Sequence, residues 1–198
     1  PALACGNTVI VKPSEETPAT ATLLGEVMNA VGIPKGVYQV LHGFGPGSAG
    51  EFVTRHPDVN GITFTGETKT GTAIMKAGAD GIRPVSLELG GKNAALVFAD
   101  CDFDNAVATV TRSCFENAGQ VCLGTERVYV PEAIYQPFVD KVVARAAALK
   151  QTDKGESDVG AVFWDKQMDI IEAHMADAKA RGAKVLVGGE RNRSLSGF

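Results

Sequence analysis

The sequence has few cysteines and lacks any pattern among them that would hold a disulfide framework or a metal ion. Its 198 residues contain 4 cysteines, with no CxxC pair and no histidine at metal-ligand spacing. Small disulfide-stapled domains carry cysteine more densely, so we expect reduced thiols, a cytoplasmic protein and no metal site. An isolated cysteine is by default a small buried hydrophobic residue. The four cysteines are Cys5, Cys101, Cys114 and Cys122.

Long apolar runs and blocks of like charge are also missing. The net charge is −4 and lysine and arginine are not clustered, which argues against a nucleic-acid partner. No apolar stretch reaches the roughly 18 residues that a membrane span needs, so we expect no membrane partner. The sequence begins with Pro1 and shows no basic-then-apolar segment there, so nothing in it marks the chain for export.

Short β-branched runs alternate with longer helical patterns. This alternation predicts an α/β fold with parallel strands and crossover helices. The pair Gly90-Gly91 has the character of a hinge, so we expect two domains, residues 1–89 and residues 90–198. We predict strands at residues 8–11, 37–41, 61–65, 85–88, 94–98, 127–130 and 184–187, and helices at residues 18–31, 50–55, 68–77, 104–117, 133–149 and 165–180.

A glycine-rich segment follows the second predicted strand. Residues 45–50, GPGSAG, fit the GxGxxG dinucleotide-binding pattern, and Glu67 lies near the end of the next strand, where a ribose-binding carboxylate would sit. The pattern is weak in a chain with 23 glycines. Pro46 also removes an N–H from the turn that would donate to pyrophosphate. A standard Rossmann use of this loop is therefore the less favoured interpretation.

Two other segments lie where predicted strands end, the edge at which doubly wound folds bind ligands. In Lys12-Pro13-Ser14-Glu15, a lysine and a glutamate are placed to bind vicinal ribose hydroxyls together; the alternative is a surface ion pair. In the segment 64–71, FTGETKTG, a glycine precedes a helix start whose free N–H groups can bind an anion. The alternative there is an ordinary capped helix. Taken singly, both segments favour the ordinary alternative.

Two further segments carry side chains suited to catalysis. Glu88 ends an apolar strand beside the expected domain boundary, where burial would make its carboxylate more basic. The alternative is an ion pair with Lys92. Cys122 follows a helix and a glycine turn, so its sulfur can face a cleft in which amide N–H groups stabilise a thiolate or an oxyanion. The alternative is a core cysteine.

The motifs KPSE, FTGxxxxG, ELGGK and GQxC, in this order and spacing, resemble the aldehyde dehydrogenase superfamily over essentially the whole chain. The last two are similar to its glutamate and cysteine active-site signatures. The resemblance implies an α/β fold in which a parallel, Rossmann-like NAD-binding sheet is joined to a second α/β catalytic domain. It also implies an NAD-dependent enzyme that oxidises a small-molecule aldehyde and assembles as a homo-oligomer.

The resemblance assigns roles to the matching positions. Cys122 would attack the aldehyde, and Glu88 would activate the water that hydrolyses the resulting thioester. Lys12 and Glu15 would hold the adenosine ribose of NAD. The other cofactor-binding positions are Gly45 and Pro46, which would flank the adenine, Gly66 and Gly71, which would bound the helix start beside the pyrophosphate, and Leu89.

This sequence departs from the family pattern at Glu67, where many relatives have serine. A carboxylate beside pyrophosphate would repel it, so we expect Glu67 to turn outward as a helix cap. The family's oxyanion-hole asparagine and its second ribose-binding glutamate are not in the sequence. We therefore expect a fragment of a longer subunit that is inactive alone.

Within the superfamily, the segments FTGETKTG, ENAGQVCLGTERVYV and LHGFGP are most similar to the hydroxymuconic semialdehyde dehydrogenases of aromatic meta-cleavage pathways and their aminomuconate relatives. Dehydrogenases of succinate semialdehyde or betaine aldehyde remain alternatives. Arg112 and Arg127 are candidates to bind a substrate carboxylate, although a structural ion pair is the favoured interpretation of each.

Two further functions compete with hydrolytic aldehyde oxidation. A CoA-acylating relative would pass the acyl group to a thiol and needs no water-activating base, so Glu88 in its signature counts against it. A nucleotide-binding module without catalysis would need neither Cys122 nor Glu88.

Overall fold

A computed structural model describes residues 1–196 and divides the chain into two compact units. The first unit is Pro1–Gly90 and the second begins at Gly91. Strands and helices alternate in both units, and each of the three strand ladders is parallel. The predicted α/β fold with parallel strands is confirmed. None of the helices among residues 1–196 is long and apolar enough to cross a membrane.

In the first unit, each ladder joins a strand to the next strand along the chain. The crossover connections contain helices, as parallel pairing requires. No ladder joins the two pairs within the described residues, so the expected continuous sheet is present as two separate pairs. The elements are β1 (Val9–Val11), α1 (Ala19–Ala30), β2 (Tyr38–Val40), α2 (Ala49–Arg55), β3 (Ile62–Thr65), α3 (Thr68–Ala79) and β4 (Val85–Glu88), with β1 on β2 and β3 on β4.

Helix α3 packs closely against β4 and the residue after it. A Cβ at Gly78 would lie 2.6 Å from Cγ2 of Val85, and a Cβ at Gly71 would lie 2.6 Å from Cδ2 of Leu89. A side chain at either position would force its neighbour to move, so glycine suits this close approach. Both glycines are buried, together with Ile74. The contact places the first turn of α3 beside the carboxyl end of β4.

The second unit is built on a core between two helices, α4 (Phe103–Phe115) and α5 (Glu132–Ala147). Its fully or nearly buried side chains are Val97, Val107, Val110 and Phe138. The rings of Phe103 and Phe138 meet edge to face with centroids 5.9 Å apart. The elements are β5 (Ala94–Leu96), α4 (Phe103–Phe115), a 3-10 turn (Glu116–Gly119), β6 (Arg127–Tyr129), α5 (Glu132–Ala147) and α6 (Asp165–Ala180), with β5 on β6.

Several predicted element boundaries differ from the structure by one or two residues, and one predicted strand is absent. Helix α1 begins at Ala19 instead of residue 18, within the usual uncertainty of a helix end. Helix α4 stops at Phe115 instead of continuing to Asn117, because the residues that follow leave helical geometry. The strand predicted at residues 184–187 is absent. A strand needs a partner, and none of residues 1–196 pairs with this segment.

The cap of α4 provides a test of how the second unit is stabilised. The Asp102 side chain accepts a hydrogen bond from the Asn105 N–H at 3.2 Å. Asp102→Ala should destabilise the folded protein by about 1 kcal/mol, because a helix N–H loses its acceptor. Asp100→Ala, which removes an exposed carboxylate from the same loop, should have little effect. The free energy of unfolding of each variant is the measurement; equal losses would show that the cap bond does not stabilise the helix.

Candidate active site

Lys12 lies directly after β1 and forms a small polar cluster at the carboxyl end of the strand. Its Nζ donates to Glu15 Oε2 at 3.2 Å and to the Gly43 carbonyl at 3.0 Å. The side chain of Lys12 is 20% exposed and that of Glu15 is 39% exposed. A backbone N–H bond and the Lys12 ammonium lower the pKa of Glu15. The carboxylate is therefore charged at neutral pH.

The glycine-rich loop folds back beside this cluster. Gly45 and Pro46 lie in the turn between β2 and α2, and the Gly45 carbonyl accepts the N–H of Glu51 at 3.1 Å. A Cβ at Gly50 would lie 3.0 Å from Cα of Gly45 and 3.4 Å from Cδ of Lys12. The first turn of α2, the loop and the lysine stem are thus in close contact.

The same loop is poorly suited to the pyrophosphate role of a GxGxxG motif. Pro46 has no N–H, and the N–H of Gly47 donates to Glu51 Oε2 at 2.8 Å. The Glu51 carboxylate therefore takes the donor that a phosphate would need. These contacts agree with the expectation that the loop does not bind pyrophosphate as a standard Rossmann loop does.

Gly66 directly follows β3 and is hydrogen-bonded to the last residue of β4. Its N–H donates to the Glu88 carbonyl at 3.0 Å, and Thr65 lies opposite Glu88 in the register of the pair. A Cβ on Gly66 would lie 2.5 Å from Cζ of Phe64. A larger residue at this position would require the Phe64 ring to move.

The first turn of α3 begins immediately after this turn. Glu67 occupies its cap position, as predicted, but the carboxylate caps no backbone N–H and accepts instead from Thr70 Oγ1 at 3.1 Å. Helix geometry leaves the first N–H groups of α3 without partners in their own helix. Gly66 and Gly71 bound this segment, and Leu89 packs on Gly71.

Glu88 is the last residue of β4, and its side chain is exposed in this chain. The burial expected for it is therefore not found in the structure. Strand residues alternate between faces, and Glu88 lies on the exposed side of the alternation in β4. Lys92, the partner in the alternative ion pair, pairs with Glu126 within the second unit.

Cys122 lies in a turn between the 3-10 segment and β6, and its side chain is exposed. The turn is closed by a bond of 2.8 Å from the Gly124 N–H to the Val121 carbonyl. No acceptor among residues 1–196 takes the Cys122 N–H. An exposed thiol on a fixed turn with a free amide is an arrangement in which a thiolate or an oxyanion can be stabilised.

The backbone before Cys122 is left-handed over three residues. Asn117 and Ala118 have φ values of 53° and 57°, and Gly119 follows at 74°. Left-handed geometry costs a non-glycine residue about 1–2 kcal/mol, less for asparagine. Such strain concentrates at functional segments and persists where the surroundings hold it. Sequence reasoning missed this feature, since alanine carries no signal for positive φ.

The other three cysteines differ from Cys122 in position. Cys5 is exposed, while Cys101 and Cys114 are half-buried against the core of the second unit. Burial raises the pKa of the Cys114 thiol, which disfavours its thiolate. No group of His, Cys, Asp and Glu side chains among residues 1–196 could hold a metal ion.

Arg112 and Arg127 both have structural partners. Arg112 pairs with Glu116 one helical turn away at 3.3 Å. The Nε and Nη2 of Arg127 donate to the Lys92 carbonyl at 3.0 and 2.6 Å. The ion pair expected for Arg112 is therefore found, whereas Arg127 makes hydrogen bonds to a main-chain carbonyl instead of the expected ion pair.

The alternating α/β fold, the glycine-bounded helix start and the exposed cysteine on its turn agree with the resemblance to aldehyde dehydrogenases. The chain belongs to the aldehyde dehydrogenase family, whose family model matches residues 1–198.

The relatives it resembles include two bacterial semialdehyde dehydrogenases. It is 57% identical over 191 residues to 2-hydroxymuconic semialdehyde dehydrogenase of Pseudomonas sp. (strain CF600), covering 96% of this chain and 39% of that protein. It is 54% identical to 2-aminomuconic 6-semialdehyde dehydrogenase of Pseudomonas sp., with the same coverage of 96% and 39%. The chain thus spans well under half the length of these relatives.

A solved structure shows the same fold. The NAD⁺ complex of an aldehyde dehydrogenase from Bacillus cereus superposes with a TM-score of 0.93 at 35% sequence identity, covering 96% of this chain and 39% of that one. The family prediction made from the motifs is confirmed.

Proposed function

We propose that this chain is the part of an NAD-dependent aldehyde dehydrogenase that supplies the nucleophile, Cys122, and the general base, Glu88. The observation that carries the proposal is the exposed Cys122 thiol on a hydrogen-bonded turn in a chain of this family. The product of the proposed reaction is a carboxylic acid, formed by hydrolysis of an enzyme thioester. The most direct test is the removal of the Cys122 thiol in the full-length protein.

Cys122 acts first. Its thiolate attacks the aldehyde carbon, the carbonyl double bond becomes an oxyanion, and a thiohemiacetal forms. The Cys122 N–H, which has no acceptor among residues 1–196, is available to bind that oxyanion. Loss of hydride from the adduct leaves a thioester on the sulfur.

Glu88 acts second, as the base for water. Its carboxylate takes a proton from a water molecule, the hydroxide attacks the thioester carbon, and the C–S bond breaks to return the Cys122 thiolate. The exposed position of Glu88 at the end of β4 gives water access to its carboxylate. A CoA-acylating enzyme would need no such base.

The residues at the strand ends of the first unit fit an adenine dinucleotide. Lys12 offers a donor and Glu15 an acceptor, the pair needed for two vicinal hydroxyls. The first turn of α3, bounded by Gly66 and Gly71, offers free N–H groups to a phosphate. Gly45, Pro46 and Leu89 line the adjoining turns. The cofactor, when bound, supplies a nicotinamide that accepts hydride.

Glu15 should select NAD over NADP. A carboxylate about 4 Å from a 2′-phosphate costs roughly 1 kcal/mol in water and roughly 4 kcal/mol at an effective dielectric constant near 20. We expect a preference of about ten- to a thousandfold, at 1.4 kcal/mol per tenfold. The exposure of Glu15 and its bond to Lys12 favour the lower part of that range. Glu15→Gln should reduce the preference for NAD over NADP, mainly by raising kcat/KM with NADP.

The measurement is kcat/KM with each cofactor in the full-length protein. Glu16→Gln is a matched control, because Glu16 is the neighbouring exposed glutamate and lies outside the Lys12 pair. It should leave the ratio unchanged. If the wild type has equal kcat/KM with NAD and NADP, the proposal that Glu15 binds the adenosine ribose is wrong.

The substrate that we propose is 2-hydroxymuconic semialdehyde or a closely similar unsaturated semialdehyde carrying a carboxylate. Identities of 57% and 54% to enzymes named for such substrates support the proposal. Succinate semialdehyde and betaine aldehyde are the alternatives. The kcat/KM values of the full-length protein on these three aldehydes decide among them; a preference for betaine aldehyde, a cation, would exclude the carboxylated class.

A further inference from the structure

Asn93, just after Lys92, contacts the turn that carries Cys122. Its Nδ2 donates to the Cys122 carbonyl at 2.6 Å and to the Gly124 carbonyl at 3.0 Å. Asn93 is half-buried, and both acceptors belong to the turn around the thiol. One side chain therefore holds the main chain on both sides of Leu123. Sequence analysis did not single out this residue.

The two acceptors fix the orientation of the amide. A carboxamide NH₂ has two donors, one for each carbonyl, whereas its oxygen would be repelled by both. The backbone of Asn93 adds to the connection, because its carbonyl accepts the N–H groups of Glu126 and Arg127, each at 3.0 Å. The residue therefore links the start of β5 to the cysteine turn through its side chain and to the start of β6 through its main chain.

A second set of bonds holds the turn from α4. The Thr125 N–H donates to Ser113 Oγ at 3.1 Å, and the two hydroxyls lie 2.8 Å apart. These bonds fix the end of the turn toward β6. The Asn93 amide is the side-chain donor that reaches the Cys122 carbonyl itself. Without it, the peptide group beside the thiol loses its anchor.

We propose that Asn93 is a positioning residue for Cys122: its amide holds the turn so that the thiol keeps one orientation toward the aldehyde carbon. The inference rests on the proposed role of Cys122 as nucleophile. Attack requires reacting atoms about 3–3.5 Å apart and aligned, and a displacement of about 1 Å can lower the rate about a hundredfold. In this proposal Asn93 acts through Cys122, whose turn its side chain contacts.

The test is Asn93→Ala in the full-length protein, with the NADH burst followed before steady state. Burst rate and kcat should fall about ten- to a hundredfold, because the thiol loses its fixed orientation. The KM for NAD should change less than about twofold, since the cofactor residues lie in the first unit. Asn7→Ala is the matched control: it also removes an asparagine-to-carbonyl bond, of 3.1 Å to Ala2, and should leave the burst unchanged.

Asn93→Asp separates loss of the donor from loss of volume. A carboxylate has nearly the shape of the amide but faces two carbonyl oxygens without a proton, so its burst should be slowed at least as much as that of Asn93→Ala. Protonation restores one donor. The ratio of the Asn93→Asp burst rate to that of the wild type should therefore rise as the pH is lowered. This recovery is not expected if Asn93 only fills space.

The outcomes distinguish this inference from the proposed function. If both Asn93 variants keep wild-type burst rates per folded active site while Cys122→Ala abolishes the burst, Asn93 does not position the thiol. If Cys122→Ala itself retains the burst, the nucleophile assignment fails and the inference fails with it. Should Asn93→Ala not fold, the pH dependence of Asn93→Asp decides alone, and a ratio independent of pH contradicts the proposal.

Discussion

Replacing Cys122 by alanine should abolish aldehyde oxidation by the full-length protein, with a fall in kcat on the order of 10⁴-fold or more. Methyl cannot form the thiohemiacetal, so neither hydride loss nor a thioester can follow. Binding of NAD should be largely unchanged, because the cofactor contacts proposed here come from the first unit. Steady-state oxidation and NAD titration together measure the two effects.

Cys5 provides the matched control for this variant. It is the other exposed cysteine among residues 1–196, whereas Cys101 and Cys114 are half-buried. Cys5→Ala should keep wild-type activity. In the wild type, iodoacetamide should label Cys122 well ahead of Cys5. Both thiols are exposed, but only Cys122 has the proposed activating environment. Equal labelling of the two would refute the assignment of Cys122 as nucleophile.

Glu88→Gln should stop turnover after the first round. Glutamine keeps the shape of the side chain but cannot take a proton from water, so the thioester on Cys122 should accumulate. We expect the NADH burst to remain while steady-state release of acid falls by about 10²- to 10⁴-fold, the usual contribution of a general base. Rapid-mixing and steady-state measurements of NADH on the same variant separate the two phases.

The exposed glutamate Glu132 at the start of α5 gives a control for charge loss. Glu132→Gln should preserve both phases. A Glu88→Gln variant that releases acid at the wild-type rate would show that another group activates water. A variant that loses the burst itself would show that Glu88 acts before the thioester forms.

The fold was predictable because its signals are local. β-branched runs bounded by glycine and proline located β1 to β6, and helical patterns located every α-helix within a few residues. The error at residues 184–187 came from the same local rule, which cannot tell whether a suitable segment finds a partner strand. Local signals also cannot show that the first unit has two separate strand pairs instead of the single sheet expected, because pairing between distant strands depends on tertiary structure.

Candidate site residues can be named from the sequence, whereas the environment of their side chains cannot be read from it. Local context made Cys122 and Glu88 candidates, and the resemblance of the four motifs to the aldehyde dehydrogenase superfamily implied a role for each. Burial of Glu88 was expected from its place after apolar residues, yet alternation along β4 leaves it exposed. The support of the cysteine turn by Asn93 was missed, because a bond between residues far apart in sequence has no local signature.

The central claim is that Cys122 carries the acyl group during aldehyde oxidation. The measurement that tests it most directly is peptide mass spectrometry of full-length Glu88→Gln after brief incubation with NAD and aldehyde. We expect an added acyl mass on the peptide that contains Cys122 and unmodified peptides for Cys5, Cys101 and Cys114. An acyl group on another residue, or normal turnover with no adduct on any peptide, would contradict it.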